Sequence, residues 1–422
     1  MQEHTNKHWD LIVVGGGLTG VAAAVAARRQ GLDVLLLEKA GFLGGAPGTM
    51  LINPFMPYST TANGEKMALS RGFFAELQEL LREVGGYHGP GREDIHEEYL
   101  KLALDRLVVR EGVQVLFHAT LCGVQKNEET IIALQAATKA GVLTFTARTY
   151  IDCTGDADLA VMAGCPYQLG REDGLCQPMT LCFRIGNIDV PTFQRNRQLM
   201  QDKYKQLQAE GRIKNPRENV LAFNTLVDGM LHFNTTRVVR HNPVDPFDVT
   251  RAEMTAREQM FEMYHFLKEH EPGCENSQLI YSAGEIGVRE SRKIQGEYIL
   301  TQEDLVGCVK FLDRIAAGNY DIDIHNPEGS GTSHYYFAPG TWYTIPYRTL
   351  LPKNADNLLV AGRCISTTHE AQASIRILPI VATLGQAAGV GAAVAHHAGV
   401  LPREADVAEI QRILTEAGAF IV

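Results

Sequence analysis

The stretch Leu11-Ile12-Val13-Val14-Gly15-Gly16-Gly17-Leu18-Thr19-Gly20 decides how the rest of this chain is read. Its four apolar residues predict a buried strand, and the small-residue run from Val21 to Ala27 predicts a helix packed tightly on it. Gly15, Gly17 and Gly20 have the spacing of a dinucleotide-binding turn. The first permits the tight turn, the second lets a pyrophosphate approach the backbone, and the third lets helix and strand close up. The N–H groups that open the helix carry partial positive charge, so Gly16, Leu18 and Thr19 join the candidate phosphate site. Downstream, Asp33-Val34-Leu35-Leu36-Leu37-Glu38 predicts a second buried strand ending in a carboxylate. Glu38 is placed to accept hydrogen bonds from ribose hydroxyls, and its charge disfavours a ribose 2′-phosphate. A glycine-rich turn also occurs without a ligand, but these flanks on both sides point to an adenine dinucleotide of the FAD or NAD type.

The whole chain sets further bounds. Its 422 residues suffice for one large domain or two sharing a discontinuous sequence. A formal charge of −10 argues against non-specific nucleic-acid binding, which needs a basic surface. No uninterrupted apolar run is expected to reach membrane-spanning length. The polar tail 1–9 does not read as a signal peptide. Eight cysteines without paired spacing disfavour a disulfide framework, a zinc site and a redox-active dithiol. A cytoplasmic location is expected.

Taken in order, Lys39-Ala40-Gly41-Phe42-Leu43-Gly44-Gly45-Ala46 places Lys39 and a Gly44-Gly45 pair shortly after the second strand, where a bare backbone can pass close to a cofactor. A flexible loop is the alternative; after this fingerprint the pair favours FAD over NAD. Residues 66–84 and 94–111 show helical apolar spacing, the second with Asp94 as N-cap. Short β-like runs at 113–117, 121–125, 131–138 and 142–148 suggest a meander over one face of the nucleotide-binding sheet, with Leu121 near the cofactor. Thr149-Tyr150-Ile151-Asp152-Cys153-Thr154-Gly155-Asp156 reads as a strand entering a tight turn. From 157 to about 353 strand-like pieces (180–185, 231–239, 278–284, 341–347) alternate with polar helices at 191–211 and 248–270, and Thr301 with Asp304 resembles a capping box. This texture predicts an inserted α+β substrate domain. The chain then returns to nucleotide-binding character with a strand at 358–361, closed by Gly362, and a small-residue helix whose first turn holds Pro379. The positive end of that helix would face the flavin.

With these pieces assembled, the sequence resembles the FAD-dependent oxidoreductase family of the glutathione-reductase-like superfamily over nearly its whole length. The resemblance rests on VVGGGLTGVAAAVAA with LLLEK, on IDCTGDADLA from Ile151, on GVRESRKIQGEYILTQEDL from Gly287, and on PYRTLLPKNADNLLVAGRCISTTHEAQASIRILPIVATLGQAAG from Pro346. It implies non-covalent FAD, with Thr154-Gly155 and Gly362-Arg363 approaching the cofactor. The expected architecture is α/β, a Rossmann-like FAD-binding domain of glutathione-reductase type carrying an inserted α+β substrate domain. Its segments are 1–160 and 351–422 for FAD and 161–350 for the substrate. The family supplies no substrate, because fold does not fix function.

Candidate chemistry follows from side-chain type and place. His369 and Arg376 flank the loop before the flavin-facing helix. The histidine can take a proton while hydride passes to the flavin, or it orders the loop. Arg376 can bind an anionic substrate or an FAD phosphate, or form a structural ion pair. Arg289 and Arg292 could clamp a carboxylate if their segment is helical, or tie the inserted domain down. His334, near Tyr335, Tyr336, Trp342 and Tyr343, belongs to a wall over the flavin or to a core strand. The remaining histidines lack metal-ligand spacing, and no metal is assigned. The function expected is hydride transfer between a small polar or anionic organic substrate and FAD. A flavin monooxygenase using oxygen and a non-catalytic FAD-binding protein are the alternatives. A small-molecule substrate and an electron acceptor of unassigned identity are the expected partners; no nucleic acid or membrane is, and a homo-oligomer stays open.

Overall fold

The computed structural model describes residues 7–422, so most of the polar tail 1–9 lies outside the described residues. The organising strand is β1 (His8–Val14), followed by α1 (Leu18–Arg29) and β2 (Val34–Leu37). After two helices, α2 (Phe73–Glu83) and α3 (Glu97–Glu111), come β3 (Gln114–Leu116), β4 (Thr120–Asn127), β5 (Thr130–Thr138) and β6 (Gly141–Asp152). A last strand, β7 (Leu358–Val360), returns from far along the chain. The parallel pairs run β3–β2–β1–β6–β7. Strand β6 serves two neighbours in succession: Gly141–Phe145 pairs antiparallel with β5, and from Thr146 onward the same strand pairs with β1. The runs 142–148 and 149–152, read separately in the sequence, are therefore one strand.

Period-two alternation separates the faces of this sheet. Leu11, Val13, Val34 and Leu36 lie in the core shared with the helices. Ile12, Val14, Leu35 and Leu37 pack with Ile131, Leu134 and Ala136, so the β4–β5 meander covers the opposite face.

The long helix α7 (Leu378–Ala398) crosses α1 at backbone contact. A Cβ added at Gly385 would lie 2.0 Å from the Thr19 carbonyl oxygen, and one at Gly389 would lie 2.2 Å from that of Ala23. Thr383 and Gln386 interrupt the apolar run of α7, which by length and composition alone is nonetheless long and apolar enough to cross a membrane; its most apolar stretch is wholly buried inside the fold.

A second core is built from Leu51 and residues between 179 and 286. There the strands Ala222–Asn224, Leu231–Phe233, Phe183–Gly186 and Gln278–Ser282 lie in that order in an antiparallel sheet. Helices α4 (Val190–Ala209) and α5 (Pro246–His270), capped by Asp189 and Asp245, bury Phe193, Met200, Tyr204, Met263 and Phe266 in this core. The run expected at 231–239 keeps strand geometry only to Phe233.

Two helix boundaries differ from the sequence reading. Residues 65–68 form a short strand with Ser59–Ala62, and the helix starts only after Gly72, whose φ of 62° breaks the expected 66–84 run. Asp94 belongs to the strand Arg92–Ile95, and the N-cap of α3 is His96, whose Nδ1 accepts the Glu98 N–H. The Thr301–Asp304 capping box is present, on the five-residue helix Gln302–Val306.

Candidate functional site

The fingerprint glycines divide by what surrounds them. At Gly15, φ is +102° and a Cβ would lie 2.4 Å from the Cys153 carbonyl oxygen; at Gly20 it would lie 1.8 Å from that of Gly15. Both are demanded by close backbone packing. Gly17 has ordinary extended geometry (φ −65°, ψ 177°), and nothing lies nearer to its Cβ position than Gly45 Cα at 3.9 Å. The space before it is free for a ligand. Gly17 is also the N-cap of α1 and offers no capping side chain. The Gly44-Gly45 pair crosses directly over this turn: Gly44 N–H donates to Gly16 O at 2.9 Å, and a Cβ at Gly45 would lie 2.8 Å from Gly17 Cα. Glu38 is buried, accepting from Gly16 N–H at 2.5 Å and Ala40 N–H at 2.6 Å. Lys39 is turned outward to Glu285, and Leu121 is half-buried on β4 opposite Ala136. Helix α7 likewise begins without a side-chain cap, at Ile377, although its first residues are buried. Two uncapped helix starts, a bare glycine backbone and a carboxylate at the second strand end fit the phosphates, flavin edge and ribose of FAD.

The turn after β6 is held from both sides. Asp152 is fully buried and accepts from Thr154 N–H, Thr154 Oγ1 and Ala160 N–H. Burial raises its pKa to about 6, against the pull of those bonds. Gly155, at φ +86°, faces Arg363, whose guanidinium donates to Gly155 O at 2.8 Å, to Val288 O and to the Asp156 carboxylate. All of these Arg363 partners are protein groups: the side chain ties the turn to the 287–292 segment. Gly362, at φ +104°, brings the end of β7 against Thr19. Cys364 is fully buried, and burial pushes its thiol pKa up.

The residues proposed for chemistry come from widely separated positions. The segment carrying Arg289 and Arg292 is extended, which corrects the helical clamp: the two arginines diverge. Arg292 reaches the Asp156 carbonyl and the Asp158 carboxylate. Arg289 instead turns toward the second core, donating to Pro178 O, Thr180 Oγ1 and Asn234 Oδ1. Between them Glu290 is fully buried. It accepts from His369 Nδ1 at 2.8 Å, from Lys293 Nζ at 2.6 Å and from Gln177 N–H at 3.1 Å. Burial works to raise the Glu290 pKa, but the His369 bond and the Lys293 charge prevail and hold it below the usual carboxylate value. A carboxylate on Nδ1 fixes the proton there and leaves Nε2 of His369 as the free ring nitrogen. His369 opens α6 (His369–Ile375), whose N-cap is Thr368. It also lines a cavity of about 380 Å³ with Arg171 and the 324–333 loop.

Arg376 follows α6, donating to Asp323 O at 3.1 Å with its charge 4.0 Å from the Asp323 carboxylate. Burial lowers the Arg289 pKa to about 9, and the neighbouring charges of Arg217 and Arg376 add to that. His325 Nδ1 lies 2.8 Å from Arg237 Nη2; because arginine only donates, Nδ1 must accept and the ring proton sits on Nε2, toward Asp323. Burial, together with Arg289, keeps His325 neutral, its pKa lowered to about 3. Asp323, by contrast, is held well below the usual carboxylate range: burial is outweighed by His325 and the arginines. His334 lies on the strand Thr332–Tyr335 of an exposed hairpin, so it is no core strand residue. It bonds Asp321 at 2.6 Å, stacks on Tyr336, and brings Nε2 to 3.8 Å from Asp323. Tyr335 is exposed beside Phe337.

Sequence reasoning thus singled out His369, Arg376 and Arg289 of this cluster but not Arg217, Glu218, Arg237, Asp323 or His325. A signal existed for two of these. Asp321-Ile322-Asp323-Ile324-His325 alternates with period two, which puts Asp323 and His325 on one face.

Comparison with known proteins adds to this geometry. The family model described as FAD dependent oxidoreductase matches residues 10–414. Two curated proteins match over short stretches. The 3-hydroxybenzoate 6-hydroxylase of Klebsiella oxytoca is 38% identical over 77 residues, 18% of this chain and 19% of its own. The dihydrolipoamide dehydrogenase of Chaetomium thermophilum is 35% identical over 69 residues, 15% of this chain and 14% of its own. The chain therefore spans less than a fifth of either relative. Among solved structures, a geranylgeranyl bacteriochlorophyll reductase-like protein from Thermoplasma acidophilum is 13% identical at TM-score 0.46, covering 97% of this chain and 83% of that one. A flavoprotein/dehydrogenase from Cytophaga hutchinsonii is 13% identical at TM-score 0.47, covering 98% and 84%. The glycine cradle, Glu38 and the model match across nearly all of the sequence lead to one conclusion: this chain belongs to the FAD dependent oxidoreductase family and is a flavoenzyme with FAD as its cofactor.

Proposed function

We propose that the protein transfers a hydride between a small anionic organic substrate and non-covalently bound FAD, in a Rossmann-like fold of glutathione-reductase type. The observation that carries this reading is the contiguity of the His369–Glu290 pair with the cluster of Arg289, Arg376 and Asp323, linked through Gln177. We assign 1–160 and 351–422 to the FAD side and 161–350 to the substrate side, where the separate core between 179 and 286 supports the division. The substrate would lie between that unit and the 362–379 loop. Buried thiols without disulfide partners are compatible with a cytoplasmic setting.

When bound, FAD supplies the two-electron chemistry. The chain's own part is to bind, orient and manage a proton. Arg289 and Arg376 attract the substrate anion in a site where burial strengthens charge. His369 Nε2 takes or returns the proton, and Glu290 positions the imidazole and stabilises the cation that forms. Lys293 neutralises Glu290 and holds it in place through Gly170 O at 2.7 Å.

The test is an anaerobic screen of flavin bleaching against hydroxy acids, amines, sugars and polyols. A carboxylate that bleaches the flavin supports the reading, and His369→Ala should then slow bleaching ~100- to 10,000-fold with FAD retained. Bleaching by uncharged polyols alone overturns it. Oxygen-dependent hydroxylation of a compound that never bleaches the flavin would establish the monooxygenase instead.

A further inference from the structure

The arginine cluster holds an unmatched set of buried polar atoms. Among the described residues of this cluster, Arg217 Nη1, Arg376 Nη1 and Gln177 Nε2 are donors without a hydrogen-bond partner; Asp323 Oδ1, Gln372 Oε1 and Glu218 Oε2 are acceptors without one. The two amides cannot simply be flipped. Gln177 Oε1 already accepts from His325 N–H at 3.1 Å, and Gln372 Nε2 donates to the Arg289 carbonyl at 2.9 Å. Their free ends are therefore an N–H2 group and a carbonyl oxygen respectively. Arg217 is 4% exposed, Gln177 1% and Gln372 0%, so bulk water does not satisfy them. Buried polar groups are normally paired.

The charges are unmatched too. Arg217 lies near both Arg237 and Arg289, and Arg289 lies near Arg376. They face the carboxylates of Asp323 and Glu218, the latter 3.3 Å from Arg237. His325 is neutral. Within this group of four arginines and two carboxylates two positive charges stay uncompensated; at the rim, His334 bonds Asp321.

Resting on the reading of this cluster as the substrate site, we propose that the ligand is a hydroxydicarboxylate. Two carboxylates match the two surplus charges and the three free donors. A hydroxyl supplies one donor, which a plain dicarboxylate lacks, to Asp323 Oδ1 or Gln372 Oε1. An ammonium would donate as well, but it adds a positive charge to a site that already has an excess.

The experiment is calorimetric titration of the oxidised, FAD-loaded protein with L-malate, tartrate and 2-hydroxyglutarate. Succinate (no hydroxyl), lactate (one carboxylate) and aspartate (an ammonium) are compared under the same conditions. At least one hydroxydicarboxylate should bind roughly tenfold or more tighter than its analogues lacking the hydroxyl or one carboxylate, one lost hydrogen bond to a charged group being worth about that factor. Arg217→Gln should erase the preference for two carboxylates over one, and Arg217→Lys should restore part of it. Circular dichroism and flavin absorbance confirm that each variant folds and keeps FAD. Equal binding of lactate and the hydroxydicarboxylates overturns this inference and leaves the anionic-substrate reading standing, as does tighter binding of aspartate. No binding of any carboxylate overturns both.

Discussion

Replacing Glu290 with Gln tests the proton-handling pair at the least steric cost. In the native site Oε1 accepts from Lys293 Nζ and Oε2 from Gln177 N–H, and His369 Nδ1 lies 2.8 Å from each oxygen. The amide can enter in two orientations. With its N–H2 in the place of Oε1, it points that group at the Lys293 ammonium, which is 1% exposed and needs an oxygen. The buried cation therefore selects the other orientation, with Oε1 kept toward Lys293 and His369. His369 keeps its tautomer but loses the negative charge opposite its developing imidazolium. A charged acceptor exceeds a neutral one by about 1–2 kcal/mol, so flavin reduction should slow roughly 5- to 30-fold. The N–H2 group then opposes the Gln177 N–H, so the melting temperature should fall as well. The rate is read by anaerobic stopped-flow bleaching with the carboxylate found in the substrate screen. The tautomer is read independently by nitrogen NMR of the imidazole, which should show Nδ1 protonated in both proteins. Wild-type reduction by a folded, FAD-loaded Glu290→Gln protein refutes the positioning role, and so does an Nε2-protonated ring in the wild type.

Other expectations are equally direct. Gly17→Ala should fold but lose most of its FAD, because its Cβ meets only the ligand's space, whereas Gly20→Ala should fail to fold, its Cβ falling 1.8 Å from Gly15 O; soluble yield and flavin absorbance separate the two. Gly385→Val should lower the melting temperature sharply and release FAD, since it forces α7 off Thr19 in the first turn of α1. Glu271, 2% exposed with neither carboxylate oxygen hydrogen-bonded, has its pKa raised to about 7 by burial. A raised acid gives stability that is present below its unfolded value and lost as pH rises through the folded one. Glu271→Gln should therefore gain on the wild type between about pH 4.5 and 7 and stay ahead above it; urea unfolding at pH 5 and pH 8 checks the sign.

The sequence alone marked the glycine turn and the strand end beside it, because their requirements are local. Gly15 and Gly20 are needed by backbone atoms a few residues away or on the adjacent strand, and Glu38 ends the next strand. Such constraints leave their trace as spacing. Helix limits were less legible where a single dihedral decides them, as at Gly72, or where a cap is a histidine rather than the expected Asp94. The chemistry was legible only as isolated residues. His369 meets Glu290 across 79 positions, and Arg237 meets His325 across 88. Whether Arg289 and Arg292 act together depends on the extended backbone that sends one toward the second core and the other to Asp158. The value of each charge depends on what burial removes and which opposite charge replaces it. Only the folded chain supplies those two quantities, so the arginine cluster and its unpaired polar atoms were decided by tertiary structure.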